Sequence, residues 1–345
     1  MSTLPADASP LHSTAATPDL GIELGDYVAL QQRLGDALFR MRLTEQTHHV
    51  AGISHQEGGF LFLERFVDVD RLVGRVVSFA GCYPWGYRNF KSVRVVEHVL
   101  CHPRVPAAFD GFRLLHLSDL HLDLDPALGP IIAQRLRGLR YDLAVITGDF
   151  RNTTDEDHGP SVQETVRLLP AFTAPVYGIL GNHDFIEIVP PLERAGLRFL
   201  LNEVVPIERD GTPIYLGGVD DPHFYKTHDL ARVRDAIPEE AFSILLCHSP
   251  EVYRQAASHG FDVMLSGHTH GGQICLPGGV VVVKVCDAPR DLLAGAWRFR
   301  HMVGYTSVGT GSCGVPLRFF CPPEITVHVL RCSRDGATAS DQART

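Results

Sequence analysis

The sequence lacks any C-x-x-C pair. Its eight cysteines, at 82, 101, 247, 275, 286, 313, 321 and 332, are scattered through 345 residues. That spacing excludes a zinc ribbon and favours reduced, mostly buried thiols over a disulfide framework. A basic excess is also missing: 31 Lys+Arg stand against 40 Asp+Glu, a formal charge of −9. No nucleic-acid partner is expected, because phosphate contacts need a basic face and single strands need aromatic platforms set among basic residues. Long apolar runs are absent too. Stretches such as Val280–Val283 and Leu72–Ala80, the latter broken by Arg75, fall far short of the roughly 18 residues that span a bilayer. Residues 1–20 show neither a basic n-region nor an apolar core, so no signal peptide is expected. A soluble, cytoplasmic protein is the expectation, and no repeat of fixed period is visible.

What the chain does have is an ordinary globular balance, 45% hydrophobic and 21% charged, enough to bury a large core. Its length suits two domains, or one large α/β domain with an extra piece. Residues 1–20 and 333–345 read as disordered ends. Residues 21–105 read as an accessory segment, with helical spacing over Tyr27–Arg42, a strand-like run at Phe60–Phe66 and an aromatic loop, GCYPWGYRNF, at Gly81–Phe90. From about residue 106 to 332 short apolar runs recur: 113–117, 143–147, 176–180, 214–219, 243–247, 262–266, 305–309 and 325–330. Helix-like segments such as 126–139 and 250–259 separate several of them. Buried strands alternating with helices predict an α/β fold with a partly parallel sheet.

The 18 histidines are the compositional excess, and histidine is both the commonest metal ligand and the acid–base group of neutral pH. Many stand where strands end. The run 113–117 leads into Asp119 and His121, 143–147 into Asp149, and 176–180 into Asn182, His183 and Asp184. The runs 243–247 and 262–266 lead into His248 and into His268 and His270. Ligands of open α/β sheets bind at the carboxyl ends of strands, and mixed carboxylate and imidazole donors suit Mn, Fe, Zn or Co. Singly these signals are weak, since Asp221-Pro222-His223 repeats the D-x-H pattern.

The ordered set D-x-H, G-D, G-N-H-D, H and G-H-T-H resembles the calcineurin-like metallophosphoesterases, in the bacterial branch bearing LSDLH, GNHD, HSPE and SGHTHGGQI, over about 110–330. The resemblance implies two mixed β-sheets flanked by helices, an αββα sandwich. It implies two divalent ions, one on Asp119, His121, Asp149 and His270, the other on Asp149, Asn182, His248 and His268. It further implies attack by a metal-bridging hydroxide on a phosphodiester or pyrophosphate, with His183 as general acid or electrostatic partner of the leaving oxygen and Asp184 either orienting it or capping the following turn. Two ions suit such a displacement because they clamp both sides of it. Relatives include phosphodiesterases and a UDP-2,3-diacylglucosamine pyrophosphatase, so a nucleotide-lipid substrate is one alternative. A non-catalytic metal-binding scaffold is another, although no motif residue is missing here.

Lesser features carry structural readings. Gly309–Gly314 fits G-x-G-x-x-G, but no helix start follows it, so it is a closing loop rather than a dinucleotide site. Arg151 reads as a phosphate binder or a surface arginine, Asp220-Asp221 as a turn, and His116 as a satisfied core histidine. His48, His49 and His55 lie outside the matched region. The apolar PLRFFCP stretch, 316–322, offers peripheral membrane contact or a buried strand lead-in.

Overall fold

The computed structural model describes residues 21–50, 81–154 and 157–332. Twelve strands form two mixed six-stranded sheets. The first contains β1 (Arg94–His102), β2 (Arg113–Leu117), β3 (Leu143–Ile146), β4 (Val176–Gly178), β5 (Leu197–Phe199) and β12 (Glu324–Cys332), in the order β1-β12-β2-β3-β4-β5. The second contains β6 (Glu203–Arg209), β7 (Thr212–Gly218), β8 (Ser243–Leu246), β9 (Val263–Ser266), β10 (Gly295–Phe299) and β11 (Met302–Thr306), in the order β10-β11-β9-β8-β7-β6. Each sheet has four parallel neighbours, β2 to β5 in one and β7, β8, β9 and β11 in the other. Each therefore presents several carboxyl ends at one rim.

The apolar runs are continuous rather than alternating because every central strand is covered on both faces. Along β3, Leu143 and Val145 enter the core between the sheets, while Ala144 and Ile146 enter the core under the flanking helices. Along β8 and β9, Ile244, Leu246, Val263 and Leu265 face the same central core, while Leu245 and Met264 face a third core under the helices of the second sheet. Two sheets with helices outside each make the expected αββα sandwich.

The N-terminal residues depart from expectation. Before the 105–106 boundary, β1 forms an edge of the first sheet and pairs in parallel with β12 over its whole length. Helix α1 (Leu24–Leu34) and α2 (Asp36–Val50) replace the single helix expected over Tyr27–Arg42, with Gly35 at φ 83° between them. Leu30, Leu34 and Phe39 join the cluster that holds Ile132 and Ile146 of the main fold. The aromatic segment is not a loop but helix α3 (Tyr83–Phe90), with Pro84 in its first turn and Phe90 buried. Proline there is pre-set for helical φ, and docking of Phe90 supplies the rest. The Phe60–Phe66 run and His55 lie outside the described residues. Among the described residues, no helix is long and apolar enough to cross a membrane.

Candidate metal centre

The rim where β2, β3, β4, β8 and β9 end carries Asp119, His121, Asp149, Asn182, His183, His248, His268 and His270. Five of these stand in the left-handed backbone region: Asp119 (φ 53°), His121 (42°), Asp149 (57°), His268 (68°) and His270 (50°). Residues with a Cβ rarely adopt that region, and each such residue costs about 1–3 kcal/mol. Cross-strand bonds hold the conformation, with Asp119 N–H donating to the Gly148 carbonyl at 3.0 Å and His121 N–H to that of Asp149 at 3.1 Å. The turns aim successive side chains inward instead of to alternate faces.

The side chains converge. His121 Nε2 lies 3.3 Å from His270 Nε2 and 3.7 Å from Asp149 Oδ2, while His270 Nε2 lies 3.4 Å from Asp119 Oδ1. His248 Nε2 lies 3.2 Å from Asp149 Oδ2 and 3.0 Å from Asn182 Oδ1. Donor atoms of Asp119, His121, Asp149 and His270 fall within 4.8 Å of one another, as do those of Asp149, His248 and His268. Asp149 is common to both groups. Carbonyl oxygens set two imidazoles: His121 Nδ1 meets the Arg151 carbonyl at 2.6 Å and His248 Nδ1 that of Thr147 at 2.7 Å. An Nδ1–H bonded outward leaves Nε2 facing the cluster, the arrangement a metal-binding histidine needs once that nitrogen has given up any proton. His268 Nε2 is buried and has no hydrogen-bond partner among the described residues, an orphan that a cation would satisfy. The donor set thus fits two divalent ions.

Electrostatics mark the same spot. Burial pushes Asp119 up to about 6 and His121 down to about 3. His248 is also buried, yet the Asp149 carboxylate beside it outweighs that and lifts it to about 10. Asp149 goes the other way: against the pull of burial, His248 and His183 hold it well below the usual carboxylate range.

His183 stands beside this cluster, its ring centroid 5.1 Å from that of His121. Its Nδ1 meets the Asn152 carbonyl at 2.7 Å. Asp184 does not take that position. Its carboxylate accepts from the backbone N–H groups of Asp149 (2.7 Å), Phe150 (2.8 Å) and Gly181 (2.9 Å), so it ties the β3 and β4 loops together. The sequence pairing of neighbours, 183 with 184, misled because adjacent side chains on a turn point apart.

Other readings are also settled by position. Arg151 is buried rather than on the surface, its guanidinium 4.1 Å over the Phe185 ring. Asp221 accepts from the backbone of His223, Phe224 and Tyr225, a turn as expected. His116 is a buried histidine bonded to Thr147 Oγ1 at 2.9 Å. Two side chains at the rim were not singled out. His223 packs at a 47° tilt against His268 with centroids 4.3 Å apart and meets Glu251 at 3.0 Å; its D-x-H motif after β7 was the available signal. Cys313 Sγ lies 3.7 Å from His183 Nε2, and nothing in a lone cysteine within a glycine-rich loop announces this.

The profile of the calcineurin-like phosphoesterases matches residues 112–272. The chain is 30% identical over 270 residues to the uncharacterized metallophosphoesterase YkuE of Bacillus subtilis (strain 168), covering 72% of this chain and 90% of that protein. It is 28% identical over 253 residues to YkoQ of the same organism, another uncharacterized metallophosphoesterase, covering 70% and 92%. It is 25% identical over 334 residues to the UDP-2,3-diacylglucosamine pyrophosphatase LpxG of Chlamydia muridarum (strain MoPn / Nigg), covering 79% and 98%. With this fold and this cluster, the chain belongs to the calcineurin-like phosphoesterase family and is a hydrolase of phosphoester bonds.

Proposed function

We propose that this chain is a binuclear metal-dependent phosphoesterase acting on a phosphodiester or pyrophosphate. One ion is held by Asp119, His121, Asp149 and His270, the other by Asp149, Asn182, His248 and His268. The observation that carries this reading is the double donor cluster sharing Asp149, with the orphaned His268 Nε2 beside it. When bound, the ions activate water at neutral pH and neutralise charge on the phosphoryl oxygens. The protein's own residues do the rest. Asn182 brings a neutral amide oxygen, so the cluster stays cationic enough for an anionic substrate. His183, with Nδ1 fixed on the Asn152 carbonyl, turns Nε2 toward Cys313 Sγ, and from there that nitrogen protonates the departing oxygen. Asp184 holds the two loops in register and so positions Asp149 and Asn182.

The test is hydrolysis of bis(p-nitrophenyl) phosphate by metal-stripped protein before and after adding Mn²⁺, Zn²⁺ or Co²⁺. Activity is expected only with metal. Asp149→Asn is expected to abolish it, and His183→Ala to slow it by about a hundredfold or more. Two bound ions without hydrolysis of any phosphate ester would favour the scaffold instead.

A nucleotide-lipid substrate is the second reading, and one observation favours it. Trp85, Leu276, Val280, Val282, Val283 and Phe320 are large, apolar and exposed. Trp85 packs edge-on against Phe319 and Phe320, and Cys275 N–H donates to the Phe319 carbonyl, five residues past His270. An apolar rim beside a phosphoester centre suits a substrate with acyl chains, which agrees with the UDP-2,3-diacylglucosamine pyrophosphatase activity for which LpxG is named. Val282→Asp with Val283→Asp is expected to weaken hydrolysis of UDP-2,3-diacylglucosamine while sparing bis(p-nitrophenyl) phosphate. Equal loss on both substrates would remove the rim from substrate binding.

A further inference from the structure

The donor atoms of His121, His270 and Cys313 lie within 4.8 Å of one another. This grouping puts a sulfur beside the oxygen and nitrogen set at one side of the centre. The thiol is held there by structure on both sides of it. The Gln273 carboxamide clamps the Cys313 backbone, accepting from its N–H at 2.8 Å and donating to its carbonyl at 2.8 Å. Gly314 N–H donates to Asn152 Oδ1 at 2.7 Å. Gln273 follows the His270 turn and Asn152 follows the Asp149 turn, so the two loops that carry centre residues also fix the cysteine. Arg318, fully buried, donates to the carbonyls of His270 (3.0 Å) and Val308 (2.7 Å) and locks the 308–318 loop onto the same turn.

Other cysteines have different occupations. Cys247, Cys275 and Cys321 are buried and hydrogen-bond as thiols to the carbonyls of Ser249 (3.4 Å), Gly271 (3.2 Å) and His270 (3.3 Å). Among the described residues, Cys313 is the cysteine whose sulfur joins a group able to hold a metal. It is half-buried, in contact with the His183 imidazole at 3.7 Å and within 4.8 Å of the donor nitrogens of His121 and His270.

We infer that Cys313 is a ligand of the ion on the His121–His270 side, and that this side selects a thiophilic divalent ion, zinc, iron(II) or cobalt(II), over manganese or magnesium. The inference rests on the two-ion reading and deepens it by naming the metal class. Thiolate donors select softer ions, whereas an all-carboxylate and imidazole site leaves selection to geometry and supply. On binding, the S–metal bond forms, the S–H bond breaks and its proton leaves to solvent; no redox change is involved. The Sγ···His183 contact at 3.7 Å is then exchanged for the metal, which leaves His183 Nε2 to the substrate.

The test is cobalt substitution of the full chain. Stripped protein titrated with Co²⁺ is expected to develop visible d–d bands and a near-ultraviolet sulfur-to-cobalt charge-transfer band. In Cys313→Ser the d–d bands are expected to remain and the charge-transfer band to vanish. In competition, the serine variant is expected to lose on the order of tenfold in zinc affinity at that side, with manganese affinity within about twofold of wild type. Bound cobalt with d–d bands but no charge-transfer band in the wild type would overturn the ligand role and leave the two-ion reading standing. A band that persists in Cys313→Ser would do the same. Failure to bind cobalt at all would overturn both.

Discussion

Five candidate ligands held at positive φ imply a centre that depends on its glycines for room. Gly181 shows this most directly. A Cβ there would strike Asp149 Oδ1 and sit 2.8 Å from His248 Cε1, and both neighbours are buried donors. The clash cannot be relieved by swinging a flexible side chain outward. Gly181→Ala is therefore expected to displace Asp149, the shared carboxylate, and cost bound metal as well as rate. The expected outcome is fewer than two ions per chain by elemental analysis, and a fall of roughly a hundredfold in kcat, the loss that about 1 Å of misplacement brings. Full metal content with unchanged kcat would show that the loop absorbs the methyl group. At this scale the sequence was informative about residue type and order, because D-x-H, G-D and G-H-T-H place donors straight after strands. Partnership was harder to read. Cys313, His223 and the Asn152 carbonyl reach the site from separate loops, and contacts between distant loops leave no local pattern.

At the scale of elements, helix α2 joins the N-terminal residues to the site. Arg42 is buried against buried Asp220, donates to the Asp184 carbonyl at 2.7 Å and stacks over Tyr225 at 3.9 Å. One side chain thus ties α2 to the β4 loop that carries Asn182 and His183. Replacing it by methionine keeps most of the volume but leaves Asp220 buried without its counter-charge. Breaking a buried pair in this way costs about 3–5 kcal/mol, so Arg42→Met is expected to lower the urea midpoint by that equivalent. A change under about 1 kcal/mol, the range of exposed pairs, would mean that Thr227 and the Asp221 N–H, which donate to Asp220 at 2.6 and 2.9 Å, suffice without the arginine. The strands were legible because burial on both faces makes them continuous apolar runs. The N-terminal elements were not. Helix α3 is short, with Pro84 and Gly86 inside it, so local propensity reads as loop and docking decides. For β1, exposed Val95 and Val99 alternate with better covered residues, a pattern too polar to advertise its parallel pairing with β12.

Across the whole molecule the sheets enclose a line of histidines that explains part of the excess in composition. His98 Nδ1 lies 3.0 Å from His328 Nδ1, His328 Nε2 lies 3.3 Å from His116 Nδ1, and His116 Nε2 reaches Thr147 Oγ1 at 2.9 Å. The Tyr305 ring of the second sheet closes over His98 and His328 at 4.9 and 4.8 Å. Each imidazole contact needs one donor and one acceptor, so the line is satisfied when the rings are neutral. Burial lowers His116 to about 3 from its ordinary 6.5, and burial together with the neighbouring His116 and His98 holds His328 well below that value. The unfolded chain therefore binds protons that the folded chain refuses between about pH 6.5 and 3. Stability is untouched at neutral pH and falls as pH drops through that window, by about 1.4 kcal/mol per pH unit for each such histidine. Asp119 and His121 of the metal centre are shifted to about 6 and about 3, so the informative quantity is a difference between proteins. His116→Gln can keep the bond to Thr147 but cannot take up a proton. Urea unfolding from pH 6 to 4 is expected to show a slope shallower by about 1.4 kcal/mol per pH unit in the variant. Equal slopes would mean that His116 accepts its proton inside the fold, and that the space between the sheets is wetter than its burial implies.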